Sequence, residues 1–129
     1  KDLENKLYCS TGSLGSGLPI AVGHALANRN KNVYCMISDG EAAEGSIWES
    51  LRFSHIQKLN NLKIYVNING MAAYEYVDND YLINRLLAFN PDVKIRISDP
   101  PEWSFASGLL THYYVLKSED HNLLNTEEQ

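Results

Sequence analysis

Apolar and polar residues along the chain follow two repeating patterns, which together predict an alternation of helices and strands. Apolar residues recur at helical spacing after Pro19, which suits the first turn of a helix because proline lacks a backbone N–H group. Short, continuous apolar runs are typical of strands buried in a parallel sheet, and clusters of Gly, Asn and Asp end them. In chain order, the predicted elements are a helix over Leu18–Ala27, a strand over Val33–Ile37, a helix from Ser46 to about Lys58, a strand over Leu62–Val66, a helix over Tyr81–Phe89, a strand over Val93–Ile97, a last strand at Tyr113–Leu116 and a terminal helix from Ser118 onward.

The second predicted helix begins with the pattern of a capping box. Ser46 stands three positions before Glu49, a spacing that lets each side chain accept from the other's backbone N–H group. Ile47 and Leu51 fall on one face, and Trp48 widens this apolar stripe. Strand, helix and strand make a β-α-β unit, which is right-handed in nearly all proteins. We therefore predict an α/β fold in three layers, helix, sheet and helix (αβα), with a mostly parallel sheet.

Composition and charge exclude several classes of protein. The 129 residues correspond to a single domain, 1–129, and 44% hydrophobic content can fill its core. Two cysteines without a CxxC motif argue against a disulfide scaffold or a Cys/His metal site. Sixteen acidic residues against eleven basic ones make nucleic acid an unsuitable partner. The absence of a membrane-length apolar run and of a signal peptide predicts a cytoplasmic location, and the initial Lys is consistent with a processed product or a fragment.

The ends of two predicted strands carry the candidate chemistry. Asp39 follows the first strand, and Asn69 follows the second, 30 positions later. Ligands of open parallel sheets bind beyond the carboxyl ends of the strands, so we expect these two side chains to meet there. A carboxylate and an amide oxygen suit Mg²⁺, but they hold it only together with phosphate oxygens and water. Gly40 places a backbone N–H group beside them, where it suits a phosphate oxygen.

These residues belong to a longer series of motifs between about residues 10 and 72. The series comprises Gly12-Ser-Leu-Gly-Ser-Gly17, Ser38-Asp-Gly-Glu-Ala-Ala-Glu-Gly45, Trp48-Glu49, Lys58-Leu-Asn-Asn-Leu62 and Asn67-Ile-Asn-Gly70. It resembles transketolase, at the N-terminal, diphosphate-side domain that binds thiamine diphosphate. The spacing from Asp-Gly to Asn marks thiamine diphosphate enzymes generally, and the flanking motifs favour transketolase over the pyruvate dehydrogenase and deoxyxylulose-phosphate synthase branches. Ser38 stands where the family usually has the first Gly of Gly-Asp-Gly, which adds a side chain at a tight turn.

The resemblance implies a role for each matching position. The implied residues are Asp39, the Asn69 amide oxygen and the Met71 carbonyl for Mg²⁺ or Ca²⁺; Gly12, Ser13, Leu14, Gly40 and Glu41 for the cofactor; and Glu44 and Glu49 for an acidic hydrogen-bond network that links active sites near the subunit interface. A second interpretation stays open for the three glutamates. They also suit a solvated surface near a helix N-terminus, where acidic side chains are favoured.

The implied activity is the transfer of a two-carbon ketol unit between sugar phosphates. It requires a glutamate from a pyrimidine-binding domain, usually on another subunit, so we expect a split enzyme whose isolated chain is inactive. We also expect a homodimer within a larger assembly, joined through the Glu44–His55 region, with Trp48 and Leu51 presenting the surface. Two alternatives remain: a non-catalytic or degenerate binding module, and a component of another thiamine diphosphate enzyme, such as a 2-oxo acid decarboxylase.

Overall fold

A parallel three-stranded sheet with helices packed beside it forms most of the computed structural model, which describes residues 2–72, 75–99, 103, 106–109, 115 and 117–120. Its elements are α1 (Gly17–Ala27), β1 (Val33–Ser38), a 3-10 turn (Gly40–Ala43), α2 (Gly45–Ile56), β2 (Leu62–Ile68), α3 (Asn79–Phe89) and β3 (Lys94–Ile97). The strand order is β1-β2-β3, and both pairs are parallel. The predicted α/β fold with a parallel sheet and flanking helices is therefore confirmed.

One face of the sheet carries the hydrophobic core. Alternate residues of β2 are buried because successive side chains of a strand point to opposite faces. Val66 and Ile68 of β2 lie in a single cluster with Leu18 of α1, Ile47 of α2 and Leu86 of α3, and each of these side chains is 0% exposed. The three described helices thus cover the same face.

On the opposite face of the sheet, outward-facing side chains of β1 are mostly exposed and those of β2 are half-buried. Tyr34 and Met36 of β1 are 67% and 70% exposed there. On the next two strands, Lys94 Nζ lies 5.2 Å from the centre of the Tyr65 ring and 3.3 Å from its hydroxyl oxygen. Parallel sheets are ordinarily covered on both faces. The helices α1, α2 and α3 do not cover this face.

The N-terminus of α2 corrects the predicted capping box. The N-cap residue is Glu44, whose side chain makes no capping hydrogen bond. Ser46 lies inside the helix, and its hydroxyl donates to the carbonyl oxygen of Gly15 at 2.8 Å instead of capping. The predicted capping pair of Ser46 and Glu49 is therefore wrong, because the helix begins at Gly45, which places Ser46 in the first turn and not at the N-cap.

The predicted apolar stripe of α2 is buried, which overturns part of the expected association surface. Leu51 is 0% exposed, and Trp48 is half-buried with its indole N–H group donating to the Ala42 carbonyl at 2.8 Å. The Arg85 guanidinium lies 4.2 Å from the centre of the Trp48 ring, which also packs edge-on against Phe89. Leu51 therefore faces the interior and cannot present a surface to a second subunit, whereas the half-buried Trp48 keeps part of its ring exposed, and its role in association stays a prediction.

The buried side chain of Asn61 holds the C-terminus of α1 and the loop between α1 and β1 in place by hydrogen bonds. The two N–H groups of its amide are shared among the carbonyl oxygens of Ala25, Asn28 and Lys31, which lie 3.0, 3.2 and 2.9 Å from the nitrogen. Carbonyls at a helix C-terminus have no partner within the helix, so an outside donor must satisfy them. Asn61 does this from the position immediately before β2.

We expect the substitution Asn61→Ala to lower the free energy of unfolding by about 2 kcal/mol, because several carbonyls lose their shared donor. Urea unfolding followed by circular dichroism measures the loss. Asn60→Ala is the matched control, since the Asn60 side chain is exposed, and we expect it to change stability by less than about 0.5 kcal/mol. Equal effects of the two substitutions would contradict the role given to Asn61.

Two predicted elements fall largely outside the described residues, namely the strand at Tyr113–Leu116 and the helix from Ser118 onward. Elsewhere, the predicted and observed elements agree within a few residues. In the part of the chain that the structure describes, no helix combines the length and the apolar character that crossing a membrane requires.

Candidate functional site

Asp39 and Asn69 meet at the carboxyl edge of the sheet. Ser38, the last residue of β1, pairs with Asn67 of β2, so the two strands end side by side. The Asp39 carboxylate oxygen Oδ2 accepts hydrogen bonds from the backbone N–H groups of Asn69 and Gly70, both at 2.9 Å. The two residues expected to hold a metal ion are thus neighbours, 30 positions apart in the chain.

The Asp39 carboxylate is buried and well supplied with donors. Asp39 is 4% exposed, and its second oxygen, Oδ1, accepts from the backbone N–H group of Gly40 at 3.0 Å. A buried carboxylate is tolerated only when hydrogen bonds or a cation offset the loss of water. The Gly40 N–H group thus already has an acceptor in Asp39. Its contact with a phosphate oxygen stays a prediction.

Asn69 begins a segment that turns back on itself. The Asn69 side-chain oxygen accepts from the backbone N–H group of Met71 at 3.0 Å, which fixes the first bend. Met71 then forms an isolated antiparallel bridge with Tyr76, and the Gly70 carbonyl accepts from the Val77 N–H group at 2.9 Å. The Met71 backbone is therefore held close to Asn69, as a shared role in binding one ion would require.

The Gly-rich loop is fastened to the same edge by Glu41. One carboxylate oxygen of Glu41 accepts from the Gly15 N–H group at 3.1 Å, and the other accepts from the Ser38 N–H group at 3.2 Å. Ser46 adds its bond to the Gly15 carbonyl. We therefore assign Glu41 a positioning role, since protein N–H groups contact both of its oxygens. The expected contact between Glu41 and the cofactor remains a prediction.

The remaining predicted residues lie around this anchored loop. Gly12, Ser13 and Leu14 directly precede Gly15 and are exposed, and their contact with the cofactor stays a prediction. The two acidic residues expected in an interface network are also exposed, Glu44 at the N-cap of α2 and Glu49 one turn later. Their network remains a prediction.

Ser38 fits its position without strain. Within the described residues, the non-glycine residues with positive φ are Lys6 and Lys58, so Ser38 has an ordinary strand conformation. The added side chain is half-buried. Three residues earlier, burial raises the pKa of the Cys35 thiol to about 11, and the nearby Glu41 carboxylate adds to the shift. At neutral pH Cys35 is a protonated core residue, as its mid-strand position predicts.

The donor set fits a divalent cation that a ligand completes. Among the described residues, no group of three or more His, Cys, Asp or Glu side chains comes together to hold a metal ion. Asp39, Asn69 and Met71 instead offer a carboxylate, an amide and a carbonyl oxygen, the hard ligands that Mg²⁺ and Ca²⁺ prefer. Glu41 joins the Gly-rich loop at Gly15 to Ser38, the neighbour of Asp39. The residues present therefore suit a cation bound jointly with a diphosphate.

The sequence does not predict the contacts that Glu41 and Ser46 make with the Gly-rich loop. It favours Glu41 as a cofactor contact or a solvated acid, and Ser46 as a helix cap. Their partner in the structure, Gly15, lies 26 and 31 positions away. Neither charge nor local spacing signals such contacts, so only the folded chain reveals them.

Comparison with known proteins gives a consistent result. The family model for thiamine pyrophosphate enzymes, described as their C-terminal TPP binding domain, matches residues 4–72. Human transketolase is 45% identical over 68 residues, which cover 49% of this chain and 11% of the human protein. Transketolase-like protein 2 of Bos taurus is 37% identical over 90 residues, 62% of this chain and 14% of the bovine protein. An uncharacterized transketolase family protein of Sinorhizobium fredii is 48% identical over 66 residues, 48% of this chain and 24% of that protein. The chain thus spans a quarter or less of each of these relatives.

Proposed function

Because the chain belongs to the thiamine pyrophosphate enzyme family, whose C-terminal TPP binding domain matches residues 4–72, we propose that it binds thiamine diphosphate. Thiamine diphosphate is another name for thiamine pyrophosphate. The cofactor would bind together with Mg²⁺ or Ca²⁺ at the carboxyl edge of the sheet. The observation that carries this proposal is the junction of Asp39 and Asn69, joined at 2.9 Å through the buried carboxylate. Asp39, Asn69 and Met71 would hold the cation, and Gly40 and the loop over Gly12–Leu14 would contact the cofactor.

Each part of the site has a distinct task in this proposal. The Asp39 charge attracts the cation, and its bonds to the N–H groups of Asn69 and Gly70 keep the two strand ends at a fixed separation. Glu41 sets the height of the Gly-rich loop above the sheet edge by bonding Gly15. When bound, thiamine diphosphate supplies a nucleophilic thiazolium carbon, and the chain's own contribution is to bind and orient it.

We further propose that the chain acts as one component of a transketolase-like enzyme that transfers two-carbon ketol units between sugar phosphates. The similarity to human transketolase supports this. We assign the diphosphate-side, N-terminal position from the motifs between residues 10 and 72 alone, whereas the matching family model is described as a C-terminal TPP binding domain. A pyrimidine-binding subunit would supply the activating glutamate, and the assembly would work in the cytoplasm. Self-association would use exposed residues of the Glu44–His55 region such as Phe53, which is 39% exposed.

Isothermal titration calorimetry of the purified chain with thiamine diphosphate tests this proposal. We expect binding in the presence of Mg²⁺ and its loss when EDTA removes the metal, because the diphosphate and the protein complete the cation's ligand set together. The isolated chain should show no ketol transfer. A lack of binding at millimolar cofactor, alone and with a pyrimidine-binding subunit, would favour the non-catalytic module. Ketol transfer by the pure chain would contradict the need for a partner.

A further inference from the structure

Asn79 holds a buried polar atom that the proposed roles do not use. Asn79 is the first residue of α3, and its side-chain oxygen Oδ1 is buried with no hydrogen-bond partner among the described residues. Buried acceptors in folded proteins are nearly always paired, because leaving one without a donor is unfavourable. Such an atom needs an explanation in terms of what it meets when the protein works.

The helix itself does not require the Asn79 side chain. Capping of α3 is done by Asp78, whose side-chain oxygen accepts from the Tyr81 N–H group at 3.0 Å. Packing of α3 against the core is done by Leu82 and Leu86, both buried. Neither the capping nor the core packing of α3 uses the Asn79 amide.

The position of Asn79 points to the candidate site. A Cβ atom built on Gly70, whose φ is +80°, would lie 3.3 Å from Asn79 Oδ1 and 3.7 Å from its nitrogen. The glycine thus leaves the space into which the amide packs. The N–H group of the same glycine donates to the Asp39 carboxylate. Asn79 therefore lies against the turn that the candidate metal ligand holds in place.

We propose that Asn79 is a further binding residue of the cofactor site, where its Oδ1 atom accepts a hydrogen bond from a donor that arrives with the bound cation and cofactor. Two donors share this chemistry, an O–H group of a water molecule brought by the cation and an N–H group of the aminopyrimidine ring. The inference rests on the proposed function, since it assumes that the cation and thiamine diphosphate bind beside Gly70.

Three variants of the full chain test it. Asn79→Ala removes the acceptor, Asn79→Asp keeps an acceptor oxygen at the same place, and Asn84→Ala is the control because Asn84 is exposed on the same helix. We expect Asn79→Ala to weaken Mg²⁺-dependent binding of thiamine diphosphate about 10-fold, the size of effect seen when a group just outside the metal ligands is lost. Asn84→Ala should bind like the original chain, and Asn79→Asp should bind the cofactor more tightly than Asn79→Ala, because its oxygen still accepts the hydrogen bond.

Stability without ligand separates this role from a purely structural one. Asn79→Ala removes an unpaired buried acceptor and introduces a better helix former, so the ligand-free chain should be as stable as the original or more stable. Only the added stability that thiamine diphosphate and Mg²⁺ confer should shrink. A loss of ligand-free stability with unchanged cofactor affinity would overturn the proposal, and so would equal loss of binding in Asn79→Asp and Asn79→Ala.

Titration with Mg²⁺ and inorganic pyrophosphate identifies the donor. If Asn79→Ala weakens this binding as well, the donor is water carried by the cation, because pyrophosphate lacks the ring. If only thiamine diphosphate binding weakens, the donor is the ring N–H group. Loss of binding in Asp39→Asn with normal binding in Asn79→Ala would refute this inference alone. Normal binding in Asp39→Asn would refute the proposed function itself.

Discussion

Asp39→Asn is expected to abolish the Mg²⁺-dependent binding of thiamine diphosphate. The substitution keeps the shape of the side chain but removes the single carboxylate among the candidate ligands. Groups merely adjacent to metal ligands are worth about 10- to 100-fold in affinity, so the loss of this ligand should weaken binding by more than about 100-fold. Calorimetry at saturating Mg²⁺ measures the change. Asp92→Asn is the control, because Asp92 is exposed in the turn before β3.

The same carboxylate also contributes to folding. Its oxygens accept three hydrogen bonds, from the backbone N–H groups of Gly40, Asn69 and Gly70. Asp39→Ala would leave these buried donors without an acceptor, and each costs about 1–3 kcal/mol when it is not paired again. Asp39→Asn retains one acceptor oxygen and is the sharper test. Wild-type cofactor affinity in a folded Asp39→Asn variant would show that the metal site lies elsewhere.

Gly15→Ala is expected to cause the second large effect, because the loop cannot accept a side chain at this position. The φ of Gly15 is +78°, and an added Cβ would lie 2.5 Å from Ser46 Oγ and 2.6 Å from Glu44 Cβ. The left-handed backbone costs an alanine about 1–2 kcal/mol, and the overlap with α2 adds about 1–3 kcal/mol. We expect a corresponding drop in the free energy of unfolding, measured in urea, and weaker cofactor binding.

Gly12→Ala provides the matched control for this loop. A Cβ at Gly12 has no atom within 4 Å, and its φ is not in the left-handed range. Its stability should change by less than about 0.5 kcal/mol. If Gly12→Ala and Gly15→Ala were equally stable, the loop would not be anchored against α2 as the bond from Ser46 to the Gly15 carbonyl indicates.

The fold is largely predictable from the sequence because each helix and strand has its own local pattern of apolar residues. The continuous apolar run of β1 and the helical spacing after Pro19 depend on residues close together in the chain, and both elements occur as predicted. The capping box at Ser46 failed for the opposite reason. The helix begins one residue before Ser46, whose hydroxyl donates to the distant Gly15 carbonyl, and no local pattern reports that contact.

The same distinction explains the candidate site. Asp39 and Asn69 could be placed together in advance, because adjacent parallel strands bring their carboxyl ends to one edge whatever the details of packing. Glu41 and Asn79 could not, since their roles depend on which loop or turn packs against them in three dimensions. Their residue types are common on helix ends, so nothing in the sequence distinguishes them.

The two hydrogen bonds accepted by Glu41 influence how fast and how tightly the site binds its ligand. Because Glu41 already joins the Gly15 and Ser38 backbones, the loop takes its shape during folding rather than at the moment of capture. Preorganisation of this kind spares a ligand the entropy of ordering a flexible segment. We therefore expect the association rate to be governed by diffusional encounter, with the dissociation rate alone reporting how well the contacts fit.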